Sequence, residues 1–252
     1  MNVFRKYWKR MSVFRLPYEI KPPYSHIIQI GDPVLRDSAV NVNRDDIKEE
    51  KIQKLIKIMT SISINDNLFG LSAPQVGVPL RVFTLQITEN HIKSAFTPEE
   101  IKKYDIHVLP LQVWINPEIR IIDYRTNVQA ESCGSILSLK AHVKRYNKIS
   151  LNGFDENNNA KSIEATDFIA RVIQHEVDHL NGILFTDIMN SKSLCNVLWK
   201  EINELNASSR IVNLKCDPTS QRIILVAELE PVFRSATMQL DVIIKFRSAV
   251  SR

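Results

Sequence analysis

The chain has 252 residues, 44% hydrophobic and 24% charged, a balance that supports a real core and allows one large domain or two small ones. A formal charge of +5 suits acidic surfaces. However, no run of five like charges and no interleaving of aromatic with basic residues marks a nucleic-acid groove, so no direct nucleic-acid specificity is expected. No apolar stretch reaches the roughly 18 residues of a membrane span, and three cysteines, Cys133, Cys195 and Cys216, exclude a disulfide framework and fit a reducing compartment.

In chain order, the first 22 residues are basic and acid-poor. Arg5, Lys6, Lys9, Arg10 and Arg15 precede the first acid, Glu19, and Phe4, Tyr7, Trp8, Met11 and Phe14 recur near helical spacing. This pattern reads as an organelle transit peptide or as a disordered basic arm. Pro22 and Pro23 separate it from the folded part, and residues 31–36 form a turn. Residues 46–63 read as an amphipathic helix carrying Ile47, Ile52, Leu55, Ile56, Met59 and Ile62, with Asp46 and Glu49 as a capping pair. The small-residue segment 69–77 leads to a strand in which Phe83, Leu85 and Ile87 alternate with Thr84 and Gln86. Residues 89–105 read as a polar surface insertion. Residues 112–116 and 118–124 read as short extended pieces around Pro117, and strands alternate from 139 to 165 with a hairpin end near Asp155. Thr166 opens the clearest helix, with Phe168, Ile169, Val172, Ile173, Val177 and Leu180 on its apolar face and Gly182 at its C-terminal cap. A shorter helix is expected over about 193–205, and strand-like pieces at 223–227 and 242–244.

The chemistry concentrates in His175-Glu176-Val177-Asp178-His179. On a helix, positions i and i+4 share a face, so both imidazoles reach one metal. Glu176 is poorly placed to ligate, but its carboxylate reaches a water at the metal's open position. Asp178 reads as a solvated surface charge. Catalytic sites of this kind take three protein ligands. No histidine follows His179, and Cys195 falls in the apolar part of a predicted helix, where it reads as a small buried hydrophobe. Cys133, between strands, is the better candidate. Spacing alone does not decide whether it is a ligand.

Three ordered motifs resemble the peptide deformylases. Phe69-Gly70-Leu71-Ser72-Ala73-Pro74-Gln75-Val76-Gly77 resembles the family's G-L-x-A-P-Q-x-G loop. Glu131-Ser132-Cys133-Gly134-Ser135 resembles its E-G-C-x-S segment, and Gln174 to Gly182 resembles its Q-H-E-x-D-H-L-x-G helix. The resemblance covers about residues 24–205. It implies an α+β fold with antiparallel strands packed around a central helix carrying the HExxH motif. It further implies that Cys133, His175 and His179 bind one divalent metal, with iron(II) in vivo and zinc or cobalt as substitutes. Glu176 would then activate water, Gln75 and the Gly134 N–H would stabilise the oxyanion, and Phe69, Gly70 and Glu131 would border the substrate pocket. Arg145 keeps the family's spacing from Glu131, where an ion pair is expected. The implied reaction removes the N-formyl group from N-formyl-methionyl nascent peptides near the ribosome. The basic start and the insertion resemble the mitochondrial branch.

This divides the chain into a presequence (1–22), a metallohydrolase domain (23–205) and an extension of unassigned role (206–252). The motifs also depart from the family pattern. Ser132 stands where the family has glycine, which predicts strain in the ligand loop if that position needs a glycine-only backbone. Gly134 stands where bacterial members usually have leucine, which predicts loss of an apolar pocket wall. These departures motivate a rival reading: a weak or inactive homologue that binds metal or nascent peptide.

Overall fold

Ile52, Leu55, Ile56, Met59 and Ile62 recur three and four apart, and all five are buried on one face of helix α1 (Glu50–Asn65). The helix begins later than residue 46. Asn43 caps a separate 3-10 turn, Arg44–Asp46, by accepting from the Asp45 N–H at 3.4 Å. The chain is extended again at Glu49, whose side chain makes no cap bond.

The computed structural model describes residues 21–204, 213–217 and 222–226; the basic start and residues 242–244 lie outside them. An antiparallel sheet of six strands runs β1 (Gly70–Ser72), β2 (Val82–Ile87), β3 (Leu109–Cys133), β4 (Ile136–Phe154), β5 (Ala160–Thr166), with β6 (Cys195–Asn196) also paired to β4. All six residues of β2 are buried, including the polar Thr84 and Gln86. The sheet is covered on both faces there. Phe83, Leu85 and Ile87 join the core that holds the HExxH helix, while Val82 joins the core under α1. Thr84 and Gln86 are satisfied within the fold: Thr84 Oγ1 bonds Ser63 Oγ at 2.7 Å, and Gln86 Nε2 donates to the carbonyls of Ser63 and Leu68.

Residues 112–124 belong to one long strand rather than two pieces. Asn116 takes a left-handed φ of 49° and the register to β4 slips between Ile115 and Glu118, so Pro117 sits in an irregularity where its missing N–H costs no ladder bond. The insertion after β2 is not featureless. It folds into α2 (Glu89–Ala95) and α3 (Pro98–Lys103), capped by Thr88 and Thr97. The helix α4 (Asp167–Leu180) starts after Thr166 as expected, and Gly182 follows its end with φ 72°. Its buried face packs on the sheet beside Phe83, Leu85 and Trp114. A short helix, α5 (Phe185–Ile188), follows.

The helix expected over 193–205 is shorter. Cys195 and Asn196 pair with Lys140 and Leu139 of β4, which holds them extended, and Cys195 is half-buried on a strand rather than buried on a helix. The chain divides into two units, residues 1–196 and 197–252. The second contains α6 (Trp199–Glu204) and an antiparallel pair, β7 (Asn213–Asp217) with β8 (Arg222–Val226), which takes in most of the strand expected at 223–227. No described helix is long and apolar enough to cross a membrane.

Candidate metal centre and substrate pocket

Strands β3 and β4 are joined by the tight turn Gly134-Ser135, and Cys133 is the last residue before it. The turn delivers the Cys133 thiol to the buried face of α4. There Cys133, His175 and His179 each offer a ligand atom, all within 4.8 Å of one another. Cys133 Sγ lies 3.2 Å from His179 Nε2, and the Ser135 N–H points at the same sulfur from 3.4 Å.

Glu131, two residues before the cysteine on the same face of β3, orients the other histidine. His175 Nδ1–H donates to Glu131 Oε2 at 3.0 Å, which fixes the ring and makes Nε2 the remaining ligand atom. The carboxylate also accepts from Arg145 Nε and Nη2, both at 2.9 Å, and from Arg171 Nη1 at 2.6 Å. Arg145 in turn pairs with Asp178. Asp178 is therefore not a solvated surface charge. It is half-buried and carries the outer end of the network, because the helix turn that presents His175 and His179 also turns Asp178 toward β4. Burial opposes ionisation of Glu131, yet hydrogen bonds from His175 and Arg145 hold its carboxyl far below the usual range. Burial likewise opposes charge on His175, but bonds to Cys133 and Glu131 raise it well above an ordinary imidazole. His179 is pushed well below by burial, then by His175 and the nearby arginines. One thiol and two imidazoles thus converge on one point. That donor set fits a divalent metal of borderline softness.

Glu176 is buried on the side of α4 facing β1. A Cβ on Gly70 would stand 2.7 Å from Glu176 Cδ, so the close approach of strand and carboxylate requires glycine at position 70. Burial pushes the Glu176 carboxyl up to about 7, and its Oε2 has no hydrogen-bond partner among the described residues. Gln75 is held by Ser72, whose N–H and hydroxyl both donate to Oε1 at 2.9 and 3.0 Å. That fixes the amide so that Nε2 faces Cys133 Sγ (3.5 Å) and Ser135 Oγ (3.2 Å). A cavity of about 260 Å³ opens beside these groups. Gln75, Gly134 and Glu176 lie on its polar side, and Leu68, Phe69, Phe168 and Val172 on its apolar side.

A family profile of polypeptide deformylases matches residues 24–194. The chain belongs to the polypeptide deformylase family. The mitochondrial peptide deformylase of Homo sapiens is 36% identical over 201 residues, covering 79% of this chain and 82% of that protein. The chloroplastic/mitochondrial peptide deformylase 1A of Arabidopsis thaliana is 37% identical over 166 residues, covering 65% and 60%. Among solved structures, the deformylase of Thermotoga maritima superposes with a TM-score of 0.55 at 30% identity, covering 66% of this chain and 98% of that one. A Met-Ala-Ser-bound deformylase from Acinetobacter baumannii gives 0.56 at 25%, covering 65% and 96%. The α+β deformylase fold is thereby established. The chain is a metal-dependent deformylase that removes the N-formyl group from formyl-methionyl peptides.

The structure brings together all nine residues singled out from sequence. Glu131 has more to do than border a pocket, since it anchors His175. Ser132 is extended strand backbone and is not among the residues with left-handed φ, so the expected strain is absent. Sequence reasoning missed Arg171, Ser135 and the outer brace of the loop. Arg171 was findable, because it stands four residues before His175 on the same helix face. The brace was not, because it comes from residues 27–29: Gln29 Nε2 donates to the Gly134 carbonyl at 3.0 Å, and a Cβ on Gly134 would meet Ile27 Cδ1 at 2.9 Å.

Proposed function

We propose that Cys133 Sγ and the Nε2 atoms of His175 and His179 hold one iron(II), which zinc or cobalt(II) can replace. The mix of one thiolate and two imidazoles supports this choice. When bound, the metal supplies Lewis-acid polarisation and lowers the pKa of a coordinated water. Glu176 takes the proton of the attacking water and delivers it to the leaving amine, so that water and the formamide yield formate and a free N-terminus. Gln75 Nε2 and the Gly134 N–H donate to the formyl oxygen as it gains negative charge; such a donor is worth about 3–4 kcal/mol. Phe69, Gly70 and Glu131 border the pocket for the methionine side chain.

The observation that carries this reading is geometric: the ligand atoms of Cys133, His175 and His179 lie within 4.8 Å of one another, and the buried Glu176, packed against Gly70, lines the same cavity as Cys133 and His175. The deciding experiment is formate release from a formyl-Met tripeptide by metal-reconstituted protein. Glu176→Ala should keep the metal and lose turnover by about 10²-fold or more. No release above background from metal-loaded wild type would overturn the reading and favour a metal- or peptide-binding homologue.

The catalytic domain is assigned to the unit ending at Asn196, short of residue 205, because the family match ends two residues before it, at 194. The first 22 residues are assigned as a mitochondrial address, supported by the five basic residues that precede Glu19 and by the mitochondrial relative. This location puts the enzyme near the organelle's ribosomes. Removing about 18 residues should abolish import while leaving activity intact; unchanged organellar localisation would refute the assignment.

A further inference from the structure

The apolar wall of the cavity is supported from behind by the segment between β2 and β3. Phe69 and Phe168 line the cavity and meet edge-on, with ring centroids 5.0 Å apart. Phe96, just past α2, sets its ring edge-on against both, at 6.0 Å from Phe69 and 4.8 Å from Phe168. His91 faces Phe69 from the same segment at 4.2 Å. His91 is buried and both ring nitrogens are engaged: Nδ1 accepts from the Thr88 N–H at 3.2 Å, and Nε2–H donates to the Asn67 carbonyl at 2.7 Å. Asn67 stands at the cavity itself, in a left-handed conformation with φ 49°. Neither His91 nor Phe96 lines the cavity.

We infer that residues 88–106 are a specificity element, in which Phe96 and His91 fix the Phe69 ring and so set the width of the pocket for the substrate's first side chain. The inference rests on the deformylase reading. A ring held at its edges by two other rings and at its face by a hydrogen-bonded imidazole has little freedom to swing aside. An unbranched thioether is narrow and polarizable, and it packs against aromatic edges without moving them. A ring-bearing side chain in the same place requires Phe69 to yield. The support for Phe69 thus converts packing two layers away from the chemistry into discrimination between substrates.

The test uses the full, metal-loaded chain, with formyl-Met-Ala-Ser and formyl-Phe-Ala-Ser as substrates. Phe96→Ala should raise KM for the formyl-Met peptide about fivefold to tenfold and leave kcat within about twofold. It should also narrow the preference for formyl-Met over formyl-Phe by about tenfold, with metal content unchanged. Phe96→Leu should restore most of the preference. His91→Ala should act in the same direction, and His91→Gln, which can donate to the same carbonyl, should recover part of the loss. A folded, metal-loaded Phe96→Ala protein with unchanged KM and preference overturns the inference. So does a variant that loses kcat and metal while its preference stays fixed, since the segment is then only a brace for the fold. If wild type releases no formate, the deformylase reading has failed. The inference is then judged by calorimetric binding of Met-Ala-Ser against Phe-Ala-Ser, where Phe96→Ala must narrow the preference to sustain it.

Discussion

Replacing Glu131 by glutamine changes one oxygen to an amide and leaves the shape intact. The two carboxylate oxygens accept four hydrogen bonds, two from Arg145, one from Arg171 and one from His175. The side chains of Glu131, Arg145 and Arg171 are 5%, 5% and 3% exposed. Glutamine keeps an acceptor at one oxygen and presents N–H groups where the other stood, so two bonds are lost and donor faces donor. Arg145 retains Asp178, while Arg171 retains only the neutral acceptors Val143 O and Asn127. Removing one partner of a buried ion pair costs about 3–5 kcal/mol, and the preserved shape argues for the lower end, about 3 kcal/mol. For a domain of this size that is roughly a 6–12 °C fall in melting temperature. Losing the acceptor on His175 Nδ1 should also weaken metal binding by about 10- to 100-fold. Thermal unfolding of the metal-free protein isolates the first effect, and competition with a chelator measures the second. A Glu131→Gln protein that melts within about 2 °C of wild type and binds metal within about twofold would refute the account of the network.

Further outcomes are expected. Cys133→Ala, His175→Ala and His179→Ala should each strip the metal, and full occupancy of the Cys133 variant by elemental analysis would sink the ligand assignment. Ser132→Gly should give no gain in activity, because the backbone at Ser132 is unstrained; a clear gain would show that the loop is held back by its serine. Gly134→Leu should cost about 1 kcal/mol, since the new Cβ must push Ile27 Cδ1 aside; a chemical-denaturation midpoint above wild type would contradict this. Lys161 Nζ lies 3.9 Å from the centre of the Trp114 ring, and burial pushes its amine down to about 8. Below pH 8 both folded and unfolded states carry the proton and the full cost of burying the charge is felt. Between about pH 8 and 10.5 the unfolded state holds the proton longer, so stability recovers as pH rises. Wild type should therefore gain on Lys161→Met by on the order of 1 kcal/mol across that window, after allowing for solvent screening of a half-exposed amine. Parallel stability curves would refute it.

The metal centre was legible because its grammar is local. His175 and His179 need only a helix between them, and the periodicity of Phe168 to Leu180 supplies one. Cys133 could not be chosen from spacing, because what brings it to α4 is the pairing of β3 with β4, a contact remote in sequence. Asp178 was misjudged for the same reason: its partner, Arg145, stands on strand β4, remote in sequence from the helix that carries Asp178. Cys195 failed where helical propensity lost to pairing with β4. The insertion hid its two helices because each is about two turns long, too short for a periodic signal, although Thr88 and Thr97 were there as caps.

Strand β1 is only three residues long and ends the sheet, paired on one side to β2. A visiting peptide that continued the sheet there would be gripped over about 10 Å, two or three residues at 3.3 Å each, and by its main chain alone. Main-chain pairing reads no alphabet. Past the first side chain the enzyme would be nearly blind to what it processes, which suits a catalyst whose substrates share only their formyl-methionyl start. The grip is also too short to need a finished protein: a few residues of peptide suffice.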